Sequence, residues 1–474
     1  MPRGAEPSDP EACGLCVEPH ARLPSPWKLS GSRLLRTEAV PGGLLLLDSY
    51  GGRTFASVTT TDGDVIPLAE LPYDDPPPLD SMINGFPRAV AVPGTTQVWI
   101  VSISFETFLS DDGDGVHEER TDVALYDYGS GEWERVAVGH FDAVAAEDLV
   151  ALTSGDLVVN TIDNDGLMRA RPLGDGEVDL LWQPVEEMSL PDLGGVPWMF
   201  LWIVRLEADD VAVIAGDSRE TVVGLLDSEL MVVSPWEQVG AQWGDPSFVP
   251  GESPRADRLV QILPSERTLL LAHGTLAESD AASWQHRFAT WMSADGVLEQ
   301  TPPGILVNPN DYLLATEVHP GRDPIRSARI FGLPNDHAGI LWNDLVAGGI
   351  NGFIHAQVID ADGSLMFSEP QLYDIDGAMA FGQWAQDGRG NAYLVDFQGD
   401  EAMVHGVAED LSFNWTSPLQ RCANRLDSVN SHPTGAWDEG LWITWEALHI
   451  EESTGQPVWA LRTVLLDPDG NPVW

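Results

Sequence analysis

The stretch AQVIDADGSLMFSEP, residues 356 to 370, decides the fold of this chain. An apolar strand runs into Asp362-Gly363, where a tight hairpin turn needs a positive backbone φ, and a second strand follows and ends near a proline. The same plan recurs along the chain at residues 57–72, 123–136, 158–173, 223–236, 289–303, 405–418 and 463–474. Repetition of one hairpin from end to end predicts a repeat protein built from β units.

The turns of these hairpins carry Asp-Gly pairs in five places. We predict that each pair forms the turn between the third and fourth strands of its unit. The pairs are Asp62-Gly63, Asp165-Gly166, Asp295-Gly296, Asp362-Gly363 and Asp469-Gly470.

A second pattern falls between the hairpins: a polar turn followed by a short, strongly apolar strand. It occurs at residues 41–49, 93–104, 153–162, 207–218, 265–274, 387–397 and 438–447. Such runs predict strands buried on both faces. Two hairpins per unit, at a spacing that brackets the roughly 40 to 50 residues of a propeller blade, predict an all-β fold. We therefore expect a single β-propeller of about seven or eight four-stranded antiparallel blades.

The chain resembles bacterial β-propeller repeat proteins in general, over nearly its whole length, and its motifs specify an architecture without a particular family. We predict a propeller domain over residues 25–474 and an N-terminal extension over residues 1–24. The segment PSPWKL, residues 24–29, is similar to the end of a blade at residues 232–238. A segment of this kind would close the ring by adding an outer strand to the last blade.

The amino-acid composition restricts the kinds of partner that this chain could bind. The 474 residues carry a net charge of −50, which repels nucleic acids and anionic membrane surfaces. No run approaches the roughly 18 apolar residues of a membrane helix. An acidic surface with little lysine suits a salty or calcium-rich exterior, so we expect a secreted, periplasmic or cell-surface protein whose export signal is not in the sequence.

The three cysteines indicate no particular chemistry. Cys13 and Cys16 have the spacing of a redox pair or half a zinc site, and Cys422 is distant. No second pair completes four metal ligands. A disulfide within the N-terminal extension, or a tether to the region of Cys422, is the favoured interpretation.

The connections between second and third strands are acidic, and those between blades carry aromatic residues. We predict that both lie on one face of the propeller, where carboxylates and indole rings would bind a glycan, a cation or a basic protein. The alternative is that the tryptophans lie between blades and the carboxylates only solvate the surface. The tryptophans are Trp182, Trp198, Trp236 and Trp243, and the acidic residues are Asp111, Asp112, Asp114, Glu118, Glu119, Glu278, Asp280, Asp400, Glu401, Glu451 and Glu452.

The most acidic of these connections lies within predicted loop 105–121. Ser110, Asp112, Asp114 and Glu118 alternate around Gly115 and resemble the short Asp-rich calcium loops of integrin-type propellers, although Ser110 stands where those loops carry an acid. An EF-hand is disfavoured because its twelfth position would be Thr121. We predict a structural calcium site here, with a solvated acidic turn as the alternative.

No catalytic motif is present: the sequence has no Gly-x-Ser-x-Gly elbow, His-Glu-x-x-His motif or phosphate-binding glycine loop. The predicted function is a non-catalytic binding or scaffold propeller with a protein or glycan ligand. Carboxylates at the channel mouth keep open a carbohydrate-active or lactonase-like enzyme. A structural subunit of an extracellular assembly is a third alternative.

Overall fold

The computed structural model describes residues 36–50, 53–70, 87–109, 115–141, 145–161, 166–188, 200–207, 209–216, 221–234, 236–238, 255–274, 286–299, 305–306, 329–343, 354–373, 383–398, 401–419, 431–450 and 457–473. The N-terminal extension, its two cysteines, Cys422 and the segment 24–29 lie outside these residues. Closure of the ring by that segment stays a prediction.

Within these residues the chain forms eight antiparallel sheets, sheet 1 to sheet 8, each with its strands side by side in chain order. Sheets 1 to 4 contain β1 Arg36–Val40, β2 Gly43–Tyr50, β3 Arg53–Thr60, β4 Val65–Glu70; β5 Arg88–Ala91, β6 Gln97–Leu109, β7 Gly115–Asp127, β8 Glu134–Phe141; β9 Ala145–Ala151, β10 Leu157–Thr161, β11 Gly166–Pro172, β12 Val178–Pro184; and β13 Phe200–Arg205, β14 Val211–Gly216, β15 Thr221–Leu226, β16 Glu237–Gln238. A 3₁₀ turn, Val185–Met188, follows β12.

Sheets 5 to 8 contain β17 Arg255–Ile262, β18 Arg267–Gly274, β19 His286–Met292, β20 Ile305–Leu306; β21 Arg329–Leu333, β22 His337–Asn343, β23 Ile354–Ile359, β24 Gln371–Tyr373; β25 Gln383–Gln386, β26 Ala392–Gln398, β27 Glu401–Val407, β28 Phe413–Leu419; and β29 Ser431–Gly435, β30 Leu441–Ile450, β31 Pro457–Leu466. Sheet 8 has three strands, and a bridge from Leu466 to Pro472 extends it. The all-β prediction of consecutive four-stranded antiparallel units is confirmed for the described residues.

The second strand of each sheet forms the core. All seven predicted buried strands are second strands, and β10 and β14 are buried at every residue. Both faces are apolar because each second strand lies between two neighbouring sheets. The second strand of sheet 6, β22, was not predicted, since His337, Ala338 and Gly339 dilute its apolar run.

Four of the five Asp-Gly turns are confirmed: Gly63, Gly296, Gly363 and Gly470 have φ of 85°, 79°, 82° and 83°. The prediction for Asp165-Gly166 was wrong. Gly166 is the first residue of β11, so this pair belongs to the connection between second and third strands of sheet 3. The turn between the third and fourth strands of that sheet contains Gly176, at φ 92°.

The predicted loop 105–121 is mostly strand. Strands β6 and β7 remain paired from Gln97↔Asp127 to Leu109↔Gly115, which leaves only residues 110–114 for the connection. Charged residues enter this hairpin without breaking it because the two backbones satisfy each other's hydrogen bonds. The connection at Asp400 and Glu401 is shorter than predicted for the same reason, and Glu401 begins β27.

Interfaces between neighbouring sheets, which we call seams, are filled by buried apolar side chains. Eight separate clusters occur, each shared by two neighbouring sheets. One of them joins sheet 8 to sheet 1 through Trp442 and Leu465 on one side and Leu44, Leu46 and Phe55 on the other. Sheets 8 and 1 therefore pack against each other.

Hydrogen bonds also span each of these seams. In order from the seam between sheets 1 and 2, they are Tyr128 Oη to Pro41 O (2.8 Å), Trp99 Nε1 to Gly155 O (2.8 Å), Thr153 N to Asp209 Oδ1 (2.7 Å), Gln261 Nε2 to Arg205 O (3.2 Å), Arg267 Nη1 to Ala361 O (3.0 Å), Gln386 Nε2 to Leu333 O (3.3 Å), Gly440 N to Asp387 Oδ2 (2.7 Å) and, between Thr37 and Thr434, a bond of their Oγ1 atoms (2.7 Å).

The first strands lie innermost. Seven of the eight neighbouring pairs of first strands contact one another, including β29 of sheet 8 with β1 of sheet 1. In an antiparallel meander the first and third turns lie at the same end of the strands. We call that end of the molecule the tight-turn end and the opposite one, with the acidic connections, the loop end.

Candidate functional site

A cavity of about 530 Å³ lies among the first strands, where they run into the tight turns. Its wall comes from the first strand or first turn of sheets 1, 2, 3, 4, 5, 7 and 8. Most of the wall is apolar, and its ionisable groups are those of Glu38, Arg205 and Glu266. The volume falls within the range typical of small-molecule sites. The site therefore lies at the tight-turn end, opposite the predicted binding face.

Glu38 occupies the middle of β1, in RTEAV. Side chains alternate along a strand, so Glu38 shares a face with Val40, which is buried between sheets 1 and 2. Two residues earlier on that face, the carboxyl reaches the cavity wall. The turn at Pro41 and Gly42 ends the strand immediately afterwards.

Burial dominates the electrostatics of Glu38. It raises the pKa of the carboxyl from 4.5 to about 7, and the attraction of Arg36 offsets only part of this effect. No described residue donates a hydrogen bond to the carboxyl. Glu38 is therefore close to half protonated at neutral pH, and its ionised form has no hydrogen-bond donor among the described residues.

Across the cavity, Arg205 and Glu266 form an ion pair between β13 and the first turn of sheet 5. Gln261 supports the pair by donating from Nε2 to the carbonyl oxygens of Arg205 and Glu266, each at 3.2 Å. The two charges neutralise each other and span a seam. The ion pair leaves this side of the cavity without net charge, whereas the side of Glu38 is negatively charged when that carboxyl is ionised.

Gln386, at the end of β25, holds the wall together. Its Nε2 lies 3.3 Å from the carbonyl oxygens of Leu263, Leu333 and Gly390, and its Oε1 accepts from Leu263 N at 3.0 Å. The amide thus joins sheets 5, 6 and 7. We assign it a structural role because its hydrogen-bonding capacity is used by the backbone.

Asp387 follows directly and is fully buried. Its Oδ2 accepts from Asn391 Nδ2, Tyr393 Oη and Gly440 N at 2.9, 2.9 and 2.7 Å. Its Oδ1 accepts from Arg389 N at 3.0 Å and Asn391 N at 2.9 Å. Burial and this carboxylate raise the pKa of Tyr393 well above its usual value.

The backbones of sheets 7 and 8 approach closely beside this carboxylate. A Cβ on Gly388 would lie 1.7 Å from Trp437 O, and one on Gly435 would lie 1.9 Å from Gln386 O. Glycine is required at both positions because any side chain would overlap the neighbouring backbone. The cavity wall is rigidly built on this side.

Most of the predicted site residues lie outside the described part of the chain. Ser110, Asp112 and Asp114 of the calcium candidate lie outside it, and Glu118 lies in β7 opposite Glu106. Among the described residues, no group of three or more His, Cys, Asp or Glu side chains is placed to hold a metal ion. The calcium site stays a prediction.

Two of the four tryptophans of the predicted face lie in the described part of the chain. Trp182 lies on the outer strand β12 and is 40% exposed. Trp198 and Trp243 lie outside the described residues. Trp236 packs against the seam between sheets 3 and 4 and donates from Nε1 to Met188 O at 3.0 Å, which agrees with the alternative of a structural tryptophan.

Sequence reasoning missed Glu38, although the chain contains a signal for it. RTEAVPG at residues 36–42 repeats as RAVAVPG at residues 88–94, with Val90 in place of Glu38. Val90 also lines the cavity. An acid where the equivalent strand of sheet 2 has a valine marks a side chain with a task other than core formation.

Comparisons with known proteins support no family assignment. No family model matches the chain, and no curated protein does. In the described part, no helix is both long enough and apolar enough to cross a membrane.

Several solved structures are similar to the chain. They include the Dos1 propeller, with a TM-score of 0.41 and 11% identity over 78% of this chain and 88% of that one. A protein from Lactobacillus plantarum gives 0.39 and 14%, over 77% and 91%. An α-L-arabinofuranosidase from Fusarium graminearum, in complex with an iminosugar inhibitor, gives 0.33 and 11%, over 68% and 93%. Because these TM-scores are low, the fold of this chain is assigned from its own strand order and seams.

Proposed function

We propose that this chain is a closed, eight-bladed β-propeller that binds a small organic molecule in its central cavity without transforming it. Closure is supported by the contact of β29 with β1 and by the apolar cluster that joins sheets 8 and 1. One observation carries the function: a cavity of about 530 Å³ whose apolar wall presents one carboxyl group without a hydrogen-bond donor among the described residues. Apolar cavities with few polar groups are the usual form of small-molecule sites.

Blocking the cavity tests this function. Ala39 lines it, so Ala39→Phe places a ring in the binding space. Val297→Phe adds the same ring at an exposed turn and serves as the control. In a fragment screen read by ligand-observed NMR, we expect binders that the native protein and the control retain and that Ala39→Phe loses. Absence of any binder, or equal binding to a folded Ala39→Phe protein, contradicts the function.

A second candidate function is cleavage of a glycoside, ester or lactone. It is favoured by Glu38, whose pKa of about 7 leaves a proton available for a leaving group at neutral pH. Turnover would then decrease as pH rises through 7 and disappear in Glu38→Gln. Assays with a panel of chromogenic glycosides, esters and lactones measure this turnover directly. Turnover that depends on Glu38 would favour the enzyme over the binding protein.

For the loop end we propose, from the sequence, an acidic face that engages a protein or glycan outside the cell, with Trp182, Trp198 and Trp243 as its aromatic residues. Calcium bound by Ser110, Asp112, Asp114 and Glu118 would stiffen the tip of the β6–β7 hairpin. Chelation should lower the melting temperature of the native protein and leave an Asp112→Ala/Asp114→Ala variant unchanged. An identical response of both proteins to chelation argues against the site.

A further inference from the structure

The charges around the central cavity are unbalanced, and the imbalance identifies the ligand. Arg205 is the only cationic side chain in the described wall, and Glu266 neutralises it. When Glu38 is ionised, the described wall therefore has more negative than positive charge, and Arg36, which is not part of the wall, offsets this only in part. An ionised carboxylate that has lost water without gaining a partner raises the free energy of the empty site.

The two amide side chains of the wall, those of Gln261 and Gln386, have their N–H groups already in use. Gln261 uses its NH₂ group for two backbone carbonyl oxygens, which leaves its Oε1 without a donor among the described residues. Gln386 is committed to the backbone on both sides of its amide. The amide side chains of the wall can thus accept a hydrogen bond from a ligand and have no N–H left to donate.

The rest of the wall favours an apolar body on the ligand. Val90, Val150 and Ile203 are among the aliphatic side chains that face the space. Trp437 also lines it and is 39% exposed, and an indole ring attracts cations through its quadrupole. The net charge of −50 further concentrates cations around the molecule.

Resting on the proposed cavity function, we propose that the ligand is an organic cation: a small amine with an apolar body, whose ammonium group is bound by Glu38 and whose hydrocarbon part lies along the first strands. The ammonium supplies a positive charge opposite Glu38 and hydrogen-bond donors for Glu38 and for Gln261 Oε1. Binding of the cation favours ionised Glu38. Near neutral pH, complex formation should therefore release a proton from this carboxyl.

Three probes of similar shape separate charge from size: cyclohexylmethylamine, cyclohexylmethanol and cyclohexanecarboxylate. We expect calorimetry at pH 8 and low salt to show the amine binding at least tenfold more tightly than the alcohol, which corresponds to about 1.4 kcal/mol. The carboxylate should bind most weakly. Repeating the amine titration at pH 7 in buffers with different ionisation enthalpies should reveal the proton release.

Two variants locate the effect. Glu38→Gln keeps the shape of the side chain, and Glu38→Val installs the residue of the homologous position in sheet 2. Both should reduce amine affinity at least tenfold, abolish proton release and leave alcohol binding unchanged. Glu132→Gln, which removes one charge from an exposed turn, should behave like the native protein.

The outcomes distinguish the two proposals. Equal binding of amine and alcohol, or amine binding that survives Glu38→Gln, overturns the cation assignment while cavity binding stands. Equal losses in Glu38→Gln and Glu132→Gln would show that the amine binds the general negative field, which also overturns it. Failure of the three probes and of the fragment screen together overturns the cavity function itself.

Discussion

The first strands of sheets 1 and 7 each bring a carboxyl group close to the centre of the molecule, and the two groups have opposite surroundings. Asp387 is fully buried and accepts five hydrogen bonds from sheets 7 and 8. Glu38 is partly buried, accepts none from the described residues and has a pKa of about 7. A buried acid with all its acceptor sites occupied stabilises a fold, whereas one without partners is available to a ligand.

Removing the carboxylate of Asp387 should have the largest effect. Asp387→Ala leaves Gly440 N and the hydroxyl of Tyr393 without their acceptor in a buried seam. We expect the free energy of unfolding to fall by about 3 kcal/mol or more, because each unsatisfied buried donor costs its desolvation. Urea denaturation followed by tryptophan fluorescence measures this loss.

Asp438→Ala is the matched control in the same seam. Asp438 pairs with Arg389, and both side chains are mostly exposed. Water screens such a pair, so its loss should leave the denaturation midpoint nearly unchanged. If the two variants were equally destabilised, hydrogen bonding by Asp387 would not explain the stability of this seam.

Glu38→Gln should have an intermediate effect that depends on pH. The folded pKa of about 7 exceeds the ordinary value of 4.5, so the folded protein binds this proton more tightly than the unfolded chain. Stability of the native protein should therefore decrease as pH rises from about 4.5 to 7 and then level off. The difference from Glu38→Gln should change over that interval by on the order of 1 to 3 kcal/mol, with the variant more stable at pH 8.

Urea midpoints measured from pH 4 to 8 for both proteins provide this difference, since other titrating groups contribute equally to each. Glu132→Gln controls for the removal of one negative charge. A difference between the native protein and Glu38→Gln that stays constant over the whole range would show that the carboxyl is solvated and poorly suited to hold a ligand.

Much of the fold was readable in the sequence because it depends on local patterns. Continuous apolar runs predicted seven second strands, and Asp-Gly pairs predicted four turns. The extension of β6 and β7 into the predicted loop 105–121 was missed because Glu106, Glu118 and Glu119 look like loop residues unless the partner strand is known. Glu38 was missed for a related reason: which strand face borders the cavity depends on how the sheets adjoin, and β1 alone does not reveal it.

The smallest expected effect tests how the stabilisation is shared around Asp387. Tyr393→Phe removes one donor and leaves Asn391, Arg389 and Gly440 to satisfy the carboxylate. The ring stays in its apolar cluster between sheets 7 and 8. We expect a loss of about 1 kcal/mol in the free energy of unfolding, the usual net contribution of one hydrogen bond. In the Asp387→Ala background the same change should cost less, because the tyrosine hydroxyl has already lost its acceptor. A double-mutant cycle by urea denaturation measures both values, and additive effects would mean that the hydroxyl and the carboxylate stabilise this seam independently.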